Sequence, residues 1–149
     1  MPPKFSLQPV LDYRHKVLES LEIELGGLLQ SQKNGAQFLQ KLQDHQKQLF
    51  EELHHQQDGI IDLQAVTHLR SNLRAVEERI QRQVSFLAKL ERDIEQKRAE
   101  VVEAKQDEET LATLKSKEIE RYKAEQARQE NRLQDDIYIA QAFRKGKDA

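Results

Sequence analysis

His54-His55-Gln56-Gln57-Asp58-Gly59-Ile60-Ile61-Asp62-Leu63-Gln64 is the stretch that decides the fold. Glycine is the residue that takes the left-handed backbone past a helix C-terminus, and an aspartate just beyond it can cap the next helix. Asp58-Gly59 followed by Asp62 therefore predicts one helix ending and another beginning. No other strong break exists, because all three prolines lie at or before position 9 and nothing later forces a helix to stop.

Working outward toward the N-terminus, Leu11, Leu18, Leu25, Gln32, Leu39, Gln46 and Leu53 recur at seven-residue steps. Leu7, Arg14, Leu21, Leu28, Gly35, Leu42 and Leu49 fill the complementary places. This is the a/d seam of a coiled coil sustained for about seven heptads. Ser6 can cap its first turn, and Pro9 still lies where no N–H bond is lost. On the other side of the break Leu69, Leu73, Val76, Ile80, Leu87, Leu90, Ile94, Val101, Ala104 and Leu111 form a second seam. Glu108, Lys115 and Glu118 then take seam positions while Leu114 and Ile119 sit one place away, which predicts a stutter or the end of pairing.

The expected fold is all-α, an antiparallel two-helix coiled-coil hairpin in a single domain over residues 1–149. Helix one is placed at about 6–57, the turn at about 58–62 and helix two at about 62–145. At ~1.5 Å per residue the helices would run roughly 80 and 125 Å, so position i faces about 120 − i and helix two overhangs, unpaired from about 114. The competing arrangement is a homodimeric coiled coil with the hairpin opened. The loop chemistry at Asp58-Gly59 argues for the closed form. Gly26-Gly27 and Gly35 each cost about 1 kcal/mol in a helix relative to alanine, and mark either a close approach of backbones or a tolerated weakness.

Composition narrows the function. Of 149 residues, 24 are Lys or Arg and 26 Asp or Glu, for a net charge of −2. That balance excludes a tail held to nucleic acid by bulk charge. Apolar runs are too short for direct membrane insertion, and no apolar segment near the start reads as a secretory signal. The absence of cysteine removes thiolate catalysis, zinc–thiolate sites and disulfides together. A cytoplasmic chain is expected.

Catalytic and metal-binding patterns are sparse. Glu52 and His55 have the i, i+3 spacing of a helical di-iron half-site, but no second Glu-x-x-His accompanies them, so no metal or other cofactor is expected. Adjacent acids such as Glu77-Glu78 lack a cleft to dehydrate them on a two-helix rod. No phosphate-binding loop or nucleophile elbow occurs. The chain reads as a non-enzyme that works by binding.

Two candidate binding surfaces emerge. Lys117, Arg121, Arg128 and Arg132 recur at helical spacing on the overhang, accompanied by Tyr122, Leu133, Ile137, Ile139 and Phe143. Apolar groups that helix one cannot reach point to cover by a partner. The second is Phe38 with Phe86, each one place before a seam leucine and at nearly the same height on the hairpin. Such aromatics either broaden the core or form an exposed patch.

The opening Lys4-Phe5-Ser6-Leu7-Gln8-Pro9-Val10-Leu11-Asp12-Tyr13-Arg14 resembles the start of the FliJ family of flagellar export proteins, which tends to read Phe-x-Leu-x-x-Val-Leu-x-x-Arg. The late segment Lys117-Glu118-Ile119-Glu120-Arg121-Tyr122-Lys123-Ala124-Glu125, then Glu130 and Asp135-Asp136-Ile137, is similar to that family's Glu-rich terminal helix. Asp136 stands where the family favours Glu. The resemblance implies a component of the flagellar type III protein export apparatus. It would act as a stalk-like partner of the hexameric export ATPase and link that ring to the cytoplasmic part of the membrane export gate. Export chaperones are further implied partners, at a location peripheral to the inner face of the cytoplasmic membrane. The alternative function is a coiled-coil tether or scaffold in another cytoplasmic assembly, including in a non-flagellated host.

Overall fold

Without proline after position 9, and rich in Leu, Gln, Glu, Lys and Ala, the chain has nothing to interrupt helix propagation except the turn. A computed structural model describes residues 4–147 and contains two helices, α1 over Gln8–Gln56 and α2 over Leu63–Lys147. They form an antiparallel hairpin, and among the described residues there is no strand.

Local chemistry fixes the ends. At the start, the Gln8 N–H donates to the Phe5 carbonyl at 3.0 Å and the Leu11 N–H to the Leu7 carbonyl at 2.9 Å. Helical geometry thus begins two residues later than the spacing places it. At the turn, Gly59 has φ +95°, the left-handed conformation that costs an L-residue with a Cβ about 1–2 kcal/mol. The Asp62 carboxylate accepts the N–H groups of Gln64 at 3.0 Å and Ala65 at 3.4 Å, satisfying donors that have no partner in the first turn of α2.

The chain divides into two units, one comprising residues 19–102 and the other residues 1–18 with 103–149. In the first, burial follows the two seams. Leu42, Leu49, Val66, Leu73, Val76, Leu90, Ile94 and Val101 are buried, with Ile94 only 2% exposed. Leu49, Leu73 and Val76 form a cluster supported by Leu53, Leu69 and Ile80. The core is one side chain thick, as expected when each helix offers a single stripe.

The register of this unit is fixed by polar contacts as well. Lys97 Nζ lies 2.8 Å from Glu24 and 2.9 Å from Glu100. Gln83 Nε2 donates to the Gly35 carbonyl at 3.0 Å. A Cβ built on Gly35 would lie 2.7 Å from Leu87 Cδ2, whereas one on Gly26 or Gly27 would meet nothing within 4 Å. The glycines therefore divide: Gly35 is a site of close approach, and Gly26-Gly27 are tolerated in open space.

In the second unit Arg14 pairs with Asp107 at 3.4 Å and His15 with Glu108 at 3.2 Å. The other Glu108 carboxylate oxygen is buried without a hydrogen-bond partner. Of the two alternatives, a stutter or the end of pairing, the burial shows no shift of phase: Glu118 is exposed and partial burial ends at Lys115 apart from Tyr122. Glu108, Leu111 and Lys115 keep partial burial in unbroken heptad phase, while Leu114 and Ile119 stay 40% and 42% exposed. A helix of constant pitch carries its phase onward, whatever side chain occupies the seam.

Candidate partner-binding surfaces

Beyond Leu111, the described residues other than Lys115 and Tyr122 are exposed through Gly146. The helix nevertheless continues, so its backbone is satisfied internally while its side chains meet water. Arg121, Arg128 and Arg132 line one shallow groove together with Ala124, Glu125 and Gln129. Lys117 lines a different groove, with Leu114 and Thr113. Lys117 stands one turn before Arg121, within about 40° of it around the helix, so all four cations lie along one side.

The apolar members do not all share the arginine face. At about 100° per residue, Tyr122 and Leu133 project about a third of a turn from Arg121 and Ile137 from nearly the opposite side, while Ile139 and Phe143 follow the arginines. Ile137 and Phe143 are 49% and 65% exposed, and Tyr122 is partly covered. The terminal segment therefore carries exposed apolar groups both on the arginine side and away from it.

Phe38 and Phe86, in the other unit, are each half-exposed. The opposite groove of that unit is lined by Leu29, Ala36, Leu39, Val84, Leu87 and Ala88. Sequence reasoning missed this second groove, because a seam pattern does not say which flanking positions stay bare. It also missed the turn, where Ile60 is 98% exposed and Leu63 is 75% exposed. Two isoleucines directly after Asp58-Gly59 were the available signal, since a tight turn leaves little to cover them.

Lys97 has its pKa raised, first by its hydrogen bond to Glu24 and then by that to Glu100. This is the behaviour of an ammonium shared by two carboxylates. Among the described residues no three His, Asp or Glu side chains come together in a way that could hold a metal ion. His54 and His55 instead occupy the last turn of α1, where positive charge complements the helix dipole. No helix among these residues is long and apolar enough to cross a membrane.

Among known proteins, the family model described as flagellar FliJ protein matches residues 3–147. No curated protein and no solved structure matches the chain.

Proposed function

Because the chain belongs to the flagellar FliJ family, a family of non-catalytic components of the flagellar export apparatus, we propose that it serves there as a stalk-like partner of the export ATPase ring. In this reading it joins the ring to the cytoplasmic part of the membrane export gate. It works in the cytoplasm at the inner face of the membrane and hands over export chaperones.

One observation carries the proposal: a long terminal helical segment that keeps Leu133, Ile137, Ile139 and Phe143 exposed alongside the groove of Arg121, Arg128 and Arg132. A ring of subunits grips a helix by many shallow contacts from several directions, and a helix with functional groups on opposite sides suits that geometry. The arginines steer approach toward acidic loops, and the apolar groups supply area removed from water. Lys117, one turn before Arg121 on the same side of the helix, extends this charge.

The test is Arg121→Glu, Arg128→Glu and Arg132→Glu in one chain. Helicity should stay nearly intact, since Glu and Arg have similar helix propensity. Association with the hexameric ATPase should weaken, and what remains should depend less on salt. Unchanged binding and unchanged ATPase stimulation would reduce the arginines to a solvated face. Loss of residues 120–149 without effect on any partner would favour the scaffold alternative.

A further inference from the structure

The side of the middle unit that carries Phe38 and Phe86 has a direction. Lys97 identifies that side, because its contacts at 2.8 Å to Glu24 and 2.9 Å to Glu100 place α1 and α2 residues on one common edge. Phe38 lies two heptads after Glu24, and Phe86 two heptads before Glu100, so the period returns both aromatic rings to the same edge. Both are half-exposed, at 50% and 51%.

Charge is distributed unevenly about this pair. One heptad from Phe86 stand Arg79, toward the turn, and Asp93, away from it, both exposed. Lys41 adds to the cationic flank, and Glu52, two heptads beyond Phe38, offsets it in part. On the anionic flank Glu24 and Glu100 share the single ammonium of Lys97. The equivalent positions on α1, one heptad either side of Phe38, hold His45 and Ser31.

We infer that this face is a self-association surface, on which a second copy of the closed hairpin docks reversed end for end. A two-fold axis across the phenylalanine pair brings Phe38 over Phe38 and Phe86 over Phe86. Because Arg79 and Asp93 are equally far from Phe86, the same axis sets Arg79 of each copy on Asp93 of the other, forming the charge pair twice. A parallel arrangement stacks the cationic flanks on each other and is disfavoured. Arg82 and Lys89, at the rim, extend their charged ends into water.

The occupant follows from symmetry: the turn side of the centre has a net excess of cations, Arg79 and Lys41 against Glu52, and the other side a net excess of anions, Asp93, Glu24 and Glu100 against Lys97, so the face is complementary to itself under a two-fold. Four half-exposed phenylalanines offer roughly 400 Å² of aromatic surface. With a polar rim this lies below the ~1,200 Å² of a stable interface, so the dimer is reversible, with micromolar or weaker affinity. It stands apart from ring binding, and its failure would leave that reading untouched.

The chain has no cysteine, which makes single-site cross-linking clean. Phe86→Cys in the full chain should give a disulfide-linked dimer under mild oxidation. In sedimentation velocity, Arg79→Glu or Asp93→Arg alone should weaken dimerisation about tenfold, because each reversal acts at two symmetric contacts. Arg79→Glu with Asp93→Arg should restore it. The two residues lie about 21 Å apart along one helix, so restoration arises only between copies. Circular dichroism of each variant should match the parent. Three results would overturn the inference: linkage of Phe38→Cys to Phe86→Cys without linkage of Phe86→Cys to itself, no linkage at all, or no restoration by the double reversal.

Discussion

The middle unit and the terminal segment of α2 are equally helical, yet their side chains live in different media. From Leu63 to Val102, steps of three and four land repeatedly on buried or partly buried residues; from Lys123 to Gly146 they land on none. Apolar content does not explain the difference, since the terminal segment holds Leu133, Ile137, Ile139 and Phe143. What differs is the presence of a facing stripe. Local propensity, with no proline to interrupt it, is enough to continue a helix from one region into the other. Burial needs a second helix in register, so the middle unit draws its stability from packing while the terminal segment keeps its apolar surface available.

The sharpest way to break this comparison is to place a charge in each region. Leu42 is 7% exposed and Leu133 61% exposed. Leu42→Asp buries a carboxylate in a one-layer core and should cost about 3 kcal/mol or more. Leu133→Asp lies where water already reaches and should stay within about 0.5 kcal/mol. Thermal melts followed by circular dichroism read both. Equal losses would show that the terminal segment packs against something in its own chain.

Much of the middle unit was legible because its determinants are local or periodic. Leu21 through Leu53 recur in strict phase, and each seam position among them is buried or partly buried. Gly59 and Asp62 carry their conformations in their residue types. Beyond Glu108, apolar Leu114 and Ile119 sit one place off the seam, so the pattern alone left a stutter and the end of pairing equally open. The structure keeps the older phase through Glu108 and Lys115, since register belongs to the paired helices and not to one side chain. Of the candidate site, the grouping of Arg121, Arg128 and Arg132 follows from spacing alone. The bare groove at Leu29 and Val84 does not, because it depends on how closely α1 and α2 approach at Gly35 and Leu87.

That close approach yields a second, smaller test, set within α1. Gly26→Ala meets open space and should gain most of the ~1 kcal/mol difference in helix propensity. Gly35→Ala should lose that gain, because its Cβ would stand 2.7 Å from Leu87 Cδ2 and 3.2 Å from Gln83 Nε2, and both neighbours must move. Their melting temperatures should therefore shift unequally, by an amount equivalent to about 1 kcal/mol or more. Equal stabilisation would mean that packing at Gly35 is loose enough to behave like the solvent-facing glycines.

The smallest effect expected is electrostatic and belongs to Lys97. Its pKa is raised above the usual 10.5 by Glu24 first and Glu100 second, so the folded state holds this proton more tightly than the unfolded chain. The sign follows from linkage: the contribution is fully present below the unfolded value and is lost as pH rises through the higher, folded value. Stability of the parent should therefore fall as pH rises from about 10 to 12 more steeply than that of Lys97→Met, which keeps the stem of the side chain but cannot titrate. Added salt should narrow the gap between the two, because the side chains of Glu24 and Glu100 are 54% and 40% exposed and screening reaches them. Parallel profiles for parent and variant would show that Lys97 sets register through its packing, with its charge adding nothing that alkaline pH can remove.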